Sequence, residues 1–149
     1  MHYCRRCQCK TRSTKNRLGE MHQLRPNLCC PRLLSDAFIA ELDIWLHKYY
    51  GENILESEEY PHMINEHHFD RVCGLIDNHN ENASIALGGE RDRETLRIEP
   101  TVLRGVTLED PVMGEEIFGP VLPIITWSTF EDALKVIKSF PEPLACYIF

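Results

Sequence analysis

Helices alternate with short apolar runs from residue 35 to residue 149, and this alternation restricts the fold more than any other feature of the chain. Apolar residues recur at helical spacing in three segments, which predicts three helices with one buried face each. The first helix is expected to be capped by Ser35 and to end at Gly51, and the second to cover residues 67–79. The third is expected to be capped by the S-x-x-E box of residues 128–131 and to end at Pro141. The predicted buried faces are Phe38, Leu42, Trp45 and Tyr49; Phe69, Val72, Cys73 and Ile76; and Ala133, Leu134, Ile137 and Phe140.

Four apolar runs with turn residues at their borders predict strands. They cover residues 84–87, 101–106, 121–127 and 145–149. Helices that alternate with strands indicate an α/β domain with an open twisted sheet and flanking helices. Because the last predicted strand runs to the final residue, we expect the domain to be truncated at its C-terminal end.

The first thirty residues differ in composition from the rest. Residues 1–30 contain seven basic residues and one acidic residue, whereas residues 31–149 contain nine basic and twenty-two acidic residues. The first segment also lacks helical or strand periodicity. We therefore expect a disordered or foreign leader over residues 1–30 and one folded domain over residues 31–149. Since the folded part is acidic, no nucleic-acid partner is expected.

Cysteines are concentrated in this leader. Cys4, Cys7 and Cys9, with His2 and His22 nearby, supply the thiol and imidazole groups that bind zinc, but their spacing matches no common zinc motif. A cysteine-containing leader without a metal is the preferred interpretation, and no metal site is predicted.

His67 and His68 are adjacent on the predicted second helix. Neighbouring side chains on a helix point about 100° apart, so the pair is not placed to chelate one ion. We expect one ring on the core side and the other in solvent.

Hydropathy and the number of cysteines indicate the cellular location. No run approaches the ~18 apolar residues of a membrane-spanning helix, and the N-terminal residues lack the apolar stretch of a secretory signal. The odd number of cysteines, seven, argues against a disulfide framework. These features favour a cytoplasmic location with reduced thiols and without a membrane segment.

The most informative segment is residues 112–123, V-M-G-E-E-I-F-G-P-V-L-P. Two carboxylates precede an apolar pair, and a Gly-Pro turn then leads into a predicted buried strand. A carboxylate at the entrance of a strand, with an aromatic ring two residues later, is able to bind ribose hydroxyls and a flat ring. A solvated acidic turn packed by Ile117 and Phe118 explains the same residues, and the physical pattern alone favours this second interpretation.

Residues 115–123, E-E-I-F-G-P-V-L-P, resemble the cofactor-site motif of the aldehyde dehydrogenase superfamily. Further matches follow in the right order along the predicted domain, and they resemble the class 3 branch, which acts on fatty and aromatic aldehydes. The matching segments are Tyr50-Gly51-Glu52-Asn53, Glu56-Ser57, Tyr60, Ile64-Asn65, His68-Phe69, Gly88-Gly89-Glu90, Pro100-Thr101-Val102-Leu103 and Pro143-Leu144-Ala145 with Tyr147 and Phe149.

The resemblance implies part of an aldehyde dehydrogenase catalytic domain, with NAD or NADP as cofactor and an aldehyde as substrate. In the family, the glutamate corresponding to Glu116 binds the hydroxyls of the nicotinamide ribose, and the phenylalanine corresponding to Phe118 packs near the nicotinamide. A cysteine thiolate attacks the aldehyde, hydride passes to the nicotinamide, and a glutamate-activated water hydrolyses the thioester. Family members are usually homodimers.

The chain departs from the family pattern at the nucleophile. The family segment G-Q-x-C-x-x-P-D-Y corresponds to residues 19–27, which places His22 or Gln23 at the cysteine position. Cys29 and Cys30 fall where the family has an apolar strand, so no catalytic residue is assigned. We expect the Rossmann-like cofactor domain, the general-base glutamate and the oligomerisation segment to be absent.

Two functions from different classes are compatible with these observations. One is a fragment of an NAD(P)-dependent aldehyde dehydrogenase that is inactive as an isolated chain. The other is a catalytically inactive binding or scaffold module that retains the family fold. A third, a zinc-binding leader on an inert domain, has only the N-terminal cysteines in its favour.

Overall fold

The computed structural model of the chain describes residues 28–140. The strands and helices within this range follow one another in the order β1 (Leu28–Pro31), α1 (Ser35–Tyr50), α2 (Glu66–Asp77), β2 (Ser84–Leu87), β3 (Arg91–Asp92), β4 (Arg97–Ile98), β5 (Thr101–Arg104), β6 (Val121–Trp127) and α3 (Phe130–Ser139). Short 3-10 turns lie between some of them, and the one over Pro111–Met113 precedes β6.

Four of these strands form an open sheet in the order β1-β6-β5-β2. Strands β1 and β5 run parallel to β6, whereas β2 is antiparallel to β5. Strands β3 and β4 form a separate hairpin. The predicted α/β class is confirmed.

Both faces of the sheet are covered, because successive side chains of a strand point to opposite faces. On one face, Val102 and Ile124 are buried and pack with Leu42 of α1. On the other face, Leu103 and Ile125 belong to a larger cluster that receives apolar side chains from α2 and α3. The sheet is therefore an interior layer between helices.

Helix α2 agrees with the prediction in its buried face. Phe69, Val72 and Ile76 are buried, and Cys73 is half-buried against the same cluster. The helix starts one residue earlier than predicted, at Glu66, because the Asn65 side chain accepts a hydrogen bond from the backbone N–H of His68 and caps the first turn.

Helix α1 has the predicted bounds, but its predicted cap and most of its predicted face are wrong. Ser35 is the first helical residue and makes no side-chain cap bond. Three of the four expected core residues are exposed: Phe38, Trp45 and Tyr49. Because apolar residues occur on more than one side of this helix, the spacing alone did not identify the packed face, which passes through Leu42 and Ile39.

Helix α3 is also capped differently from the prediction. Thr129, not Ser128, is the cap, and its Oγ1 both accepts from the backbone N–H of Asp132 at 3.3 Å and donates to the Asp132 carboxylate at 2.7 Å. The packed face also differs in part: Ala133 is buried and Val136 and Phe140 pack against the core, whereas Leu134 is 36% and Ile137 41% exposed.

Strand β1 lies partly within the segment predicted to be a leader without packed structure. Leu28 pairs with Ile124, and Cys30 is 7% exposed, so the expectation that residues 1–30 lack packed structure is wrong for the last three of them. A four-residue strand carries too little periodicity to be recognised without its partner. The predicted strands at residues 84–87 and 121–127 are confirmed, whereas the one at 101–106 ends at Arg104. The strand predicted at residues 145–149 lies outside the described residues.

Candidate functional site

The predicted site residues lie on the loop that joins the 3-10 turn at Pro111–Met113 to β6. We refer to residues 115–118 of this connection as the site loop. Ile117 points inward and is 1% exposed, whereas Phe118 is 61% exposed and Glu116 is partly exposed. The interpretation of this segment as a turn packed by Ile117 and Phe118 is therefore correct for Ile117 and wrong for Phe118.

Arg71 of α2 binds three consecutive residues of the site loop. Its Nη1 donates to the Glu115 carboxylate at 2.9 Å and to the backbone oxygen of Glu116 at 3.1 Å, and its Nη2 donates to the backbone oxygen of Ile117 at 2.5 Å. The rigid, planar guanidinium presents several donors in fixed directions, which suits a row of acceptors of this kind.

His68, one turn earlier on α2, binds the next residue of the loop. The Arg71 Nε–H donates to His68 Nδ1 at 3.3 Å, so the imidazole proton lies on Nε2, which donates to the backbone oxygen of Phe118 at 2.7 Å. The His68 and Phe118 rings are tilted by 57° with their centroids 6.4 Å apart. His67 is exposed, as expected for one ring of the pair, whereas His68 is only partly buried and faces the site loop rather than the core as expected.

Phe118 has a left-handed backbone, with a φ of 45°. This conformation places Cβ close to the following carbonyl and is uncommon for a residue with a large side chain. The hydrogen bond from His68 therefore acts on the one residue of the site loop whose backbone is strained.

Gly119 lets the loop come close to α2. A Cβ atom at this position would lie 2.9 Å from both methyl carbons of the buried Val72 side chain, which is too close for any residue but glycine. The loop and the helix therefore contact each other through backbone as well as through side chains.

Asp110 anchors the chain ahead of the site loop. Its buried carboxylate accepts from the backbone N–H of Asn80 at 2.8 Å and of Thr107 at 2.7 Å, and from the Thr107 hydroxyl at 3.0 Å. Burial raises the pKa of this carboxyl, but the hydrogen bonds lower it by more, so that the pKa lies below its usual value. The carboxylate thus ties this turn to the segment that follows α2.

An open cavity of about 440 Å³ borders the exposed ring of Phe118. This volume is within the range of about 300–1,000 Å³ that is typical of small-molecule sites. The other lining residues come from the start of α2 and the segment before it: His62, Met63, Ile64, Asn65, His67 and His68. The cavity therefore has both apolar and hydrogen-bonding walls.

The cysteines nearest the predicted nucleophile position belong to β1. Burial raises the pKa of the Cys30 thiol although a hydrogen bond with Ser35 lowers it, and Cys29 packs against the core. A raised pKa disfavours the thiolate that a nucleophile needs. His22, Gln23 and the cysteines at positions 4, 7 and 9 lie outside the described residues. Within residues 28–140, no group of three or more His, Cys, Asp or Glu side chains is placed to hold a metal ion.

Sequence reasoning did not identify His68 and Arg71 as parts of this site. Their spacing of three residues puts both side chains on one face of α2. That spacing was the available signal, but nothing local indicates that this face meets a loop that lies more than forty residues away.

The fold and the loop together define a class of protein: an α/β domain in which an exposed aromatic ring borders an open cavity, as in domains that bind small molecules. Residues 27–149 match the aldehyde dehydrogenase family. The chain belongs to this family.

Relatives and solved structures agree with this assignment. The chain is 45% identical over 119 residues to aldehyde dehydrogenase family 3 member H1 of Arabidopsis thaliana, an alignment that covers 80% of this chain and 24% of that protein. It is 42% identical over 122 residues to the dimeric NADP-preferring aldehyde dehydrogenase of Bos taurus, with 82% and 49% covered. A structure described as the substrate-bound state of Staphylococcus aureus AldH aligns with a TM-score of 0.73 and 36% identity, over 79% of this chain and 25% of that one.

The first of these names confirms the predicted class 3 resemblance, since that protein is a family 3 member. The chain spans about a quarter of the Arabidopsis relative and about half of the bovine one. Among the described helices, none is long and apolar enough to cross a membrane.

Proposed function

We propose that the site loop forms the nicotinamide-ribose end of the NAD(P) site in an enzyme that oxidises aldehydes to carboxylic acids. The observation that carries this proposal is the exposed ring of Phe118, which borders an open cavity. Glu116, two residues earlier in the sequence, is partly exposed. A large aromatic side chain that the core does not use is suited to packing against a ligand.

The residues at this position fit the proposed cofactor. The Glu116 carboxylate has two oxygens that accept hydrogen bonds from a pair of vicinal ribose hydroxyls, and the Phe118 ring offers a flat apolar surface to the nicotinamide. When bound, the nicotinamide supplies the hydride acceptor for aldehyde oxidation. The contribution of this chain is to hold that ring in one orientation. Fixing the orientation of two reactants accounts for a large part of the rate enhancement of a bimolecular transfer.

The proposed cofactor is NAD or NADP without a preference. The two differ by a phosphate on the adenosine ribose, whereas the site loop would contact the nicotinamide half that they share. The bovine relative is described as NADP-preferring, which supports a nicotinamide dinucleotide in general for this chain.

Replacing Glu116 by glutamine tests the proposal with nicotinamide mononucleotide as the probe, because this half of the cofactor needs no adenosine site. The variant should keep the fold and lose affinity at least tenfold, since charge-assisted hydrogen bonds contribute about 1.5–3 kcal/mol each. Chemical-shift titration of the isotope-labelled chain measures both effects.

Glu109→Gln is the matched control, because Glu109 is an exposed glutamate that lies outside the site loop. It should bind the probe as the unaltered chain does. Equal affinities of the Glu116→Gln variant and the unaltered chain would show that the carboxylate has no part in binding.

We also propose that the 149-residue chain does not oxidise aldehydes by itself, since His22 or Gln23 takes the position of the nucleophilic cysteine and neither forms a thiolate. Incubation of the purified chain with NAD or NADP and a medium-chain or aromatic aldehyde should produce no reduced cofactor, as measured by its fluorescence. Turnover that thiol alkylation abolishes would contradict this and point to Cys29 or Cys30.

The wider setting follows from the same family assignment. We propose a homodimeric enzyme, which is supported by the word dimeric in the name of the bovine relative, and a cytoplasmic location. Cys30 and Cys73 are not in disulfides, which is the usual state of cysteines in the cytosol. Sedimentation of the complete protein and microscopy of a tagged form test these two points.

A further inference from the structure

Two side chains from one turn of α2 bind four consecutive residues of the site loop. Arg71 contacts Glu115, Glu116 and Ile117, and His68 contacts Phe118. Three of the four contacts made at 3.1 Å or less are to backbone oxygens, so they fix the course of the loop rather than the identity of its side chains.

The two side chains also bind each other. Because the Arg71 Nε–H donates to His68 Nδ1, the imidazole is held in the tautomer that donates from Nε2. That donor is the one that reaches Phe118, whose left-handed backbone needs an external restraint. Arg71 therefore acts on the loop both directly and through His68.

The neighbouring carboxylates have different surroundings. Arg71 pairs with the side chain of Glu115 and with the backbone oxygen of Glu116. The ion pair draws the first carboxylate toward α2, and the backbone contact sets the position of the second residue.

We propose that His68 and Arg71 are positioning residues, which fix the site loop so that Glu116 and Phe118 are presented together to the nicotinamide end of the cofactor. This inference rests on the proposed function of the loop. It adds that the presentation is imposed from α2, by contacts with the backbone, and not by the loop's own sequence.

The experiment measures loop order, probe affinity and global stability in the 149-residue chain. Backbone amide order parameters of residues 115–118 should fall from about 0.85 to below about 0.6 in Arg71→Met and in His68→Ala. Affinity for nicotinamide mononucleotide should fall about tenfold, because binding must then order the loop. The urea midpoint of unfolding should fall only slightly and unfolding should stay cooperative, since both side chains are only partly buried.

Conservative variants test the assigned atoms. Glutamine at position 68 places an N–H donor where Nε2 lies, whereas asparagine, which is shorter, places its amide near Nδ1. His68→Gln should therefore keep loop order and affinity, and His68→Asn should lose both. Arg71→Lys keeps the charge without the planar fork and should behave like Arg71→Met.

Arg93→Met is the matched control. Arg93 forms ion pairs with Asp70 and Glu66 of α2 and lies over the Phe69 ring, and none of these three residues belongs to the site loop. It should leave loop order and affinity unchanged.

Unchanged loop order in both Arg71→Met and His68→Ala would overturn the inference, and so would a disordered loop that binds the probe with full affinity. Loss of affinity without loss of order would assign Arg71 an electrostatic role and overturn it as well. If the unaltered chain does not bind the probe, both the inference and the proposed function fail. If Glu116→Gln weakens binding but the His68 and Arg71 variants do not, the proposed function is supported and this inference is overturned.

Discussion

The sheet interior and the site loop are held in place by different forces. Leu103 and Ile124 on neighbouring parallel strands are fully buried, and their positions follow from removal of apolar surface from water. Phe118 is mostly exposed, and the loop around it is held by hydrogen bonds from Arg71 and His68.

This difference separates stability from function in the chain. Apolar burial is non-directional and contributes to global stability in proportion to area, whereas a few hydrogen bonds contribute about 1 kcal/mol each but define direction. Substitutions of buried sheet residues should therefore destabilise the domain, whereas substitutions of exposed loop residues, or of the Arg71 and His68 side chains that bind the loop, should change its geometry while the domain stays folded.

Leu103→Ala should have the largest effect. Leu103 is 0% exposed on β5, and removal of a leucine side chain from a packed core costs about 2–5 kcal/mol. Urea unfolding followed by circular dichroism measures the loss. Ile85→Ala on β2 is the control, because Ile85 is 41% exposed and should lose much less. Equal losses at the two positions would mean that the sheet interior is not packed as described.

Asp110→Asn should have an intermediate effect, of about 1–3 kcal/mol, because an amide nitrogen replaces one oxygen that accepts from buried donors. The folded-state pKa of Asp110 is lowered, so its contribution to stability is complete above the unfolded pKa of about 3.9 and is lost as the pH falls through the folded pKa.

Urea titrations at several pH values should therefore show a difference between the unaltered chain and Asp110→Asn that is constant near neutrality and shrinks in acid. Asp36→Asn is the control, because its carboxylate is 86% exposed and lies 3.6 Å from Arg104 in a surface pair. A difference between the Asp110 variant and the unaltered chain that grows in acid would contradict the assigned hydrogen bonds.

The smallest effects are expected at Phe118. Since the ring is mostly exposed, Phe118→Ala should cost about 0.5 kcal/mol or less through lost packing, because alanine keeps the same backbone strain at a φ of 45°. Phe118→Gly should be about 1 kcal/mol more stable than Phe118→Ala, because glycine adopts this backbone without strain. Thermal unfolding distinguishes them. A cost of about 3–5 kcal/mol for either variant would show that the ring belongs to the core.

Local patterns predicted the parts of the fold in which one face of an element dominates. The buried side of α2 through Phe69, Val72 and Ile76 followed from spacing, and β6 followed from its continuous apolar run. Patterns failed where the apolar residues were spread around the element, as in α1, or where the segment was short, as in β1. The packed face of such an element depends on which other elements pack against it in the folded domain.

By itself, the sequence determined the α/β class, the order of its main helices and strands, and, through the E-E-I-F-G-P-V-L-P segment, the family and the two candidate cofactor residues. Only the tertiary structure decided that Leu28 pairs with Ile124 and that the site loop is bound by Arg71 and His68. Helical and strand periods are properties of neighbouring residues, whereas these contacts join residues between about forty and one hundred positions apart. They exist only once the intervening chain has folded and brought their partners together.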